Sequence, residues 1–331
     1  MKKILALVCA VLMLLSLAAC GSKAETPAGS DAAVEAPDTV YTVGICQLVK
    51  HEALDAATQG FKDVLVETFG EDGVVFMEQD AAGDPATCSA ICDGFVTEQV
   101  DLILANATPA LQAAATATNT IPVLGTSITE YGVALQIDDF NGVVGTNVSG
   151  TSDLAPLEEQ AKMVTELCPD AKTVGILYCS AEANSIYQAD VVKAELEKAG
   201  LAVKVYTFAD SNDVAAVTQS ACDECDALYI PTDNTAAACT EAINNVAQPA
   251  GVPIIAGEEN LCKGCGVATL SISYYELGRA TGEMAVKILK GEANVSEMEI
   301  GYDNNPVKKY NAELCEALGI TVPEGYTAIE G

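Results

Sequence analysis

From Tyr41 onward, short runs rich in Val, Ile and Leu alternate with longer stretches whose apolar positions recur at helical spacing. The short runs read as buried strands and the longer ones as amphipathic helices. In order they are YTVGICQLV, the helical EALDAATQGFKDVLVETFG, VVFMEQDA, the helical PATCSAICDGFVTEQV, DLILANA, the helical PALQAAATATN and IPVLGTS. The order then begins again, with KTVGILYCS, NSIYQADVVKAELEKAG, LAVKVYTFA, DVAAVTQSACDEC, DALYIPT, NTAAACTEAINNVAQPA and VPIIAGE. The tetrapeptide TVGI opens both halves, at Thr42 and at Thr173. Alone it would carry little, but seven elements match seven in order. Strand–helix alternation implies parallel strands with helices on both faces of each sheet. The chain is therefore expected to be α/β, built from two doubly wound, Rossmann-like lobes with a ligand cleft and hinge between them.

The C-terminal remainder completes the lobes. ISYYELGRATGEMAVKILKGE reads as a further helix, on which Gly278 and Gly282 stand four apart, a spacing that suits close helix packing. SEMEIGYD reads as a strand, KKYNAELCEALGI as a helix and TVPEG as part of a proline-containing tail. With three crossings between lobes, the expected division is residues 40–154 plus 269–294 for the first lobe and 155–268 plus 295–331 for the second.

In open α/β sheets, ligands bind beyond the carboxyl ends of the strands. The repeat makes Thr108, after DLILANA, the counterpart of Asp233, after DALYIPT. Thr108 precedes Pro109 and a helix, the pattern of an N-cap followed by proline at the first helical position. Free N–H groups there would form an anion site. Asp233 offers a carboxylate at the same place across the cleft. The pair suits a zwitterion, with carboxylate at Thr108 and ammonium at Asp233; both residues also make sense simply as helix caps. Gln47, Ser127, Glu182, Asn184, Ser185 and Glu258 end or follow other strands and are plausible polar contacts. His51, the one histidine of the chain, stands near the same edge.

Upstream of the repeat, Lys2 and Lys3 precede an apolar run of about 16 residues, short of the ~20 that span a bilayer. It ends in Leu17-Ala18-Ala19-Cys20, followed by a Gly/Ser/Ala/Pro-rich stretch. Residues 1–19 are expected to be a secretory signal, Cys20 a lipidated anchor in a bacterial lipobox, and residues 20–39 a flexible tether. The mature protein would then be extracytoplasmic and held at the cell membrane. The formal charge of −31 speaks against nucleic acid and polyanionic ligands, whose phosphates need basic partners.

Several segments together, YTVGICQLVKHEALDAATQGF, NATPALQAA, NVSGTSD, GILYCSAEANS and YIPTDN, resemble the tryptophan/tyrosine family of ABC-transporter substrate-binding lipoproteins across about residues 40–325. The resemblance implies a type I periplasmic-binding-protein fold and delivery of an aromatic amino acid to a membrane permease. The protein is expected to be a monomer with no cofactor. By motif it carries ligand contacts onto Gln47, the Leu54–Asp55 turn, Thr108, Ser127, Asn184, Ser185 and Asp233. Glu52 replaces a usual proline, and Glu130–Tyr131 replace a frequent Asp-Pro. The chain has no Trp, so ring stacking would fall to Tyr or Phe, such as Tyr131, Tyr178 or Tyr187.

Enzymatic signatures are lacking: the sequence has no GxSxG, HExxH, Walker A or GxGxxG after the first strand. The expectation is a binding protein with no catalytic residues and no metal. Thirteen cysteines are the anomaly, with CxxC pairs at Cys222/Cys225 and Cys262/Cys265. The two pairs lie farther apart than the spacing usual in zinc ribbons, so buried small residues or local disulfides are favoured over a metal or redox site. The same fold with another cargo, such as a branched-chain amino acid, nucleoside or sugar, stays open. A transcriptional regulator of this fold does not fit the leader and lacks DNA-binding helices.

Overall fold

The computed structural model describes residues 39–303 and 305–330. The leader, Cys20 and the tether through residue 38 lie outside the described residues. The first half runs β1 (Tyr41–Gln47), α1 (Glu52–Phe69), β2 (Val74–Asp80), α2 (Pro85–Glu98), β3 (Leu102–Asn106), α3 (Thr108–Ala117), β4 (Val123–Ile128), α4 (Tyr131–Leu135) and β5 (Val148–Ser152). The second runs α5 (Leu157–Leu167), β6 (Thr173–Cys179), α6 (Ala183–Lys198), β7 (Ala202–Phe208), α7 (Val214–Cys222), β8 (Ala227–Ile230), α8 (Asn234–Ala237), α9 (Thr240–Ala250), β9 (Ile254–Ala256), α10 (Glu259–Cys265) and β10 (Ala268–Ser271). The chain ends with α11 (Tyr274–Leu289), β11 (Gly301–Tyr302), β12 (Val307–Tyr310), α12 (Ala312–Leu318) and β13 (Thr327–Ala328).

These strands form two sheets, ordered β11-β5-β4-β3-β1-β2 and β13-β12-β10-β9-β8-β6-β7. All pairings in the first are parallel. In the second only β10–β12 is antiparallel. The two halves repeat in detail. Asp101 Oδ2 accepts from Thr42 N–H at 2.7 Å, and Asp226 Oδ2 accepts from Thr173 N–H at 2.9 Å. The glycine of TVGI has the same task twice. A Cβ on Gly44 would lie 2.6 Å from the Phe95 ring of α2, and one on Gly175 would lie 2.6 Å from Leu228. Each strand thus lets its neighbours approach where a side chain would hold them off.

Helix α11 returns to the first lobe and lies along α1. A Cβ on Gly278 would meet the Ala57 carbonyl at 2.0 Å, and one on Gly60 the Tyr275 carbonyl at 2.1 Å. Gly282 faces Val64 in the same seam, so the glycine spacing does mark a helix contact. Backbone cannot yield as a side-chain tip can. Gly278→Val is expected to destabilise the protein by about 3 kcal/mol, the upper part of the overpacking range, read as a lower urea midpoint. An unchanged midpoint would show the seam to be loose.

The lobe boundaries differ from those expected. β10 lies in the second sheet, because Ala268 and Thr269 pair with Ile255 and Ala256 of β9. β11 lies in the first, because Gly301 and Tyr302 pair with Thr151 and Ser152 of β5. The crossings therefore fall at 153–156, at 272–273 and between Tyr302 and Val307, not at 268/269 and 294/295. Lys308–Tyr310, read above as the start of a helix, is strand β12. The helix begins only at Ala312, where the Asn311 side chain accepts from Leu314 N–H at 3.1 Å. The helix expected over NTAAACTEAINNVAQPA is two, α8 and α9, with Cys239 between them.

All eleven cysteines of the described residues are free, and ten are buried. They fill core positions: Cys46, Cys88 and Cys92 in the first lobe, Cys222, Cys225, Cys262 and Cys265 in the second. No described helix is long and apolar enough to cross a membrane.

Candidate functional site

The carboxyl ends of β1, β3 and β4 face those of β6, β8 and β9, and side chains reach across. His51, the N-cap position of α1, places Nε2 3.4 Å from Asn234 Oδ1 in the second lobe. Asn260, with its amide nitrogen turned toward Glu52, donates to Glu52 Oε2 at 3.0 Å and accepts from Ala53 N–H at 3.0 Å. On another flank α4 lies against α6. At the hinge, Tyr274 OH donates to Asp153 Oδ2 at 2.8 Å, joining two of the crossings. A cavity of about 630 Å³ opens between the lobes, lined by Leu48, Val49, Asp84 and Pro109 on one side and Cys179, Glu182, Asp210 and Thr235 on the other. That volume is in the usual range of small-molecule sites.

In the first lobe, Gln47 and Asp55 meet. Gln47 Nε2 donates to Asp55 Oδ1 at 2.6 Å and to Val49 O at 3.0 Å, while its Oε1 accepts from Thr58 Oγ1 at 2.7 Å. Leu54 is buried in the core, and its carbonyl accepts from Asn106 Nδ2 at 2.8 Å. These residues frame Asn106, which ends β3 and whose buried Oδ1 has no partner. Sequence reading passed over Asn106 for Thr108 two residues later. Its signal was available, as a polar residue closing an otherwise apolar strand.

Thr108 is buried but is not the N-cap. The cap position falls on Ala107, at φ 88°, ψ 156°, where no side chain can bond the helix start, and Pro109 follows Thr108 inside α3. Such a backbone conformation is normally left to glycine and costs about 1–3 kcal/mol. Ser127 is also at positive φ, 56°, and its buried Oγ is unpaired. Ala107 follows the end of β3, and Ser127 is the next-to-last residue of β4.

The second lobe is arranged differently. Asp233 caps α8: Oδ1 accepts from Ala236 N–H at 2.8 Å, and Oδ2 accepts from Cys179 N–H and Ser185 Oγ, each at 2.7 Å. Glu182 accepts from Asn234 N–H and Nδ2 and from Thr235 N–H and Oγ1, at 2.6–3.1 Å. Two carboxylates thus close the start of α8, whereas no side chain closes the start of α3. Asn184 Nδ2 donates to Thr232 O at 3.0 Å, leaving its buried Oδ1 without a partner. Burial pushes the Asp233 carboxyl well above the usual range, and neighbouring Glu182 adds to the rise. Burial likewise raises Glu258, the N-cap of α10, to about 7. Burial lowers His51.

Of the three tyrosines considered for stacking, Tyr131 is ruled out. It is buried, and its hydroxyl donates to Gly125 O at 3.0 Å and Thr151 O at 3.1 Å as a strut inside the first lobe. Tyr178 packs into the second-lobe core, and Tyr187 is half-buried at its edge.

Two parallel-dominated lobes with three crossings and a polar cleft between facing strand ends define a type I periplasmic-binding-protein fold. The chain belongs to the ABC transporter substrate-binding protein family, whose model matches residues 42–328. Proteins of this family act outside the cytoplasm. A curated relative, the tyrosine-binding protein of Clostridioides difficile (strain R20291), is 33% identical over 96% of this chain and 95% of its own. Among solved structures, a Streptococcus pneumonia ABC domain in complex with L-Trp is 31% identical and superposes with a TM-score of 0.83, over 88% of this chain and all of that one. A ligand-free, open substrate-binding protein of Clostridium difficile is 36% identical, over 88% of this chain and 99% of its own, yet superposes at only 0.66.

Proposed function

We propose that this protein captures an aromatic amino acid, tyrosine or tryptophan, and presents it to the permease of an ABC importer. The observation that carries the reading is the difference between two equivalent helix starts. The N-terminus of α3 has no side-chain cap and faces the cleft, while Glu182 and Asp233 close that of α8. An incoming carboxylate would find free N–H groups and a favourable helix dipole only in the first lobe. Thr108 and Ser127 stand beside it, and Asn106 and Asn184 supply unpaired acceptors from opposite lobes. Gln47, Leu54 and Asp55 support the first wall; Ser185 and Asp233 hold the second. The names of the relatives agree with such a cargo.

Binding then works by lobe closure. Only the closed form makes both sets of contacts, so ligand shifts the hinge equilibrium toward it. No bond is made or broken. The protein acts as a monomer tethered to the membrane through a lipidated Cys20. The test is thermal melting of residues 40–331 against the twenty amino acids, with sugars and nucleosides for comparison. Ligand at 100 times its Kd adds about 2.7 kcal/mol. Stabilisation by tyrosine or tryptophan is expected; a response to a sugar or nucleoside alone would refute the amino-acid site.

A further inference from the structure

Among the described residues four carboxyl groups are buried, and three are already occupied. Asp233 takes three donors, and Glu182 holds Asn234 and Thr235. Glu258 caps α10 through the N–H groups of Asn260 and Leu261. Asp153 is the exception. It closes the NVSGTSD segment and begins the first crossing. Its N–H donates to Ile128 O at 3.1 Å, which sets it beside the carboxyl end of β4, one residue from Ser127. Its Oδ2 accepts from Tyr274 OH, but Oδ1 is buried without a partner, and the residue is 4% exposed.

A buried carboxylate oxygen without a donor is costly, and a bound cation removes that cost. The titratable groups facing Asp153 are Tyr274 on α11, Tyr131 on α4 and Glu258 before α10, none of them a cation. We propose that Asp153, rather than Asp233, receives the ammonium group of the bound ligand through its unpaired Oδ1. The assignment rests on the amino-acid reading of the cleft. It also links cargo to motion, because Tyr274 fastens the other oxygen to the second crossing. Burial raises the Asp153 carboxyl, and the Tyr274 hydroxyl holds it back in part. Docking of an ammonium group would favour its ionised form.

The experiment is calorimetric titration of purified protein with L-tyrosine and with 3-(4-hydroxyphenyl)propionate, which lacks only the ammonium group. The wild type should prefer L-tyrosine at least 100-fold. Asp153→Asn should abolish that preference, whereas Asp233→Asn and Tyr274→Phe should keep it. Asp153→Ser, which retains an oxygen for Tyr274, serves if the asparagine variant does not fold. The ratio of the two probes is independent of any general weakening of closure. A preference retained in folded Asp153→Asn or Asp153→Ser would overturn the assignment alone. Failure of the wild type to bind L-tyrosine, L-tryptophan or L-phenylalanine would remove the functional reading and this assignment with it.

Discussion

Glu182→Ala should destabilise the protein by about 3–5 kcal/mol and cost it its ligand. Glu182 is 3% exposed and accepts from the backbone N–H groups of Asn234 and Thr235 as well as their side chains. Alanine leaves those donors buried and unmet. Each unmet backbone donor costs about 1–3 kcal/mol, and truncating one side of a buried charged network reaches about 3–5 kcal/mol. The damage lies where function does, since Asn234 meets His51 across the cleft and Asp233, one residue earlier, orients Ser185. Glu182→Gln keeps one acceptor and should lose less. Urea unfolding of both variants checks the order; equal stability of Glu182→Ala and wild type would show the network to be water-supported.

Acidification should stabilise the ligand-free protein through Glu258. Its folded value of about 7 lies above the usual 4.5 because burial disfavours the charge. Between those values the folded state holds a proton that the unfolded chain has released. The stabilising contribution is therefore complete below about pH 4.5 and is lost as pH rises through 7. Its size is about 3 kcal/mol at most, by the conversion of pKa shift to free energy. Asp233 acts in the same direction, up to about pH 8. His51 acts in the opposite one, because its lowered value makes the folded state resist a proton that the unfolded chain accepts. Comparison with Glu258→Gln isolates the term. Unfolding free energies from pH 5 to 8 should fall more steeply for wild type than for the variant; parallel profiles would dismiss Glu258 as the source.

Much of the candidate site was legible in outline and little in its bonding. The repeat led to Thr108 and Asp233 as equivalent strand-end positions, and both are buried at the cleft. It could not tell that Ala107 would occupy the cap position of α3. That outcome depends on a backbone conformation that alanine adopts only under external constraint. Tyr131 looked like a ring for stacking because it follows a strand end. The nearby Gly125 and Gly150 leave room for its hydroxyl inside the lobe instead.

By itself the sequence determined the α/β alternation, the two lobes, the strand ends that form the cleft and the glycine seam between α1 and α11. Those features are local or periodic, and a strand or helix period shows within a few residues. Only the tertiary structure decided which polar atoms are satisfied and which are left without a partner. Ser185 and Asp233 are 48 residues apart in the chain, and Tyr274 and Asp153 are 121 apart. No periodicity records such pairs. Whether a buried oxygen has a donor depends on what folding brings within about 3 Å of it, and that distance left Asp233 occupied and Asp153 half free.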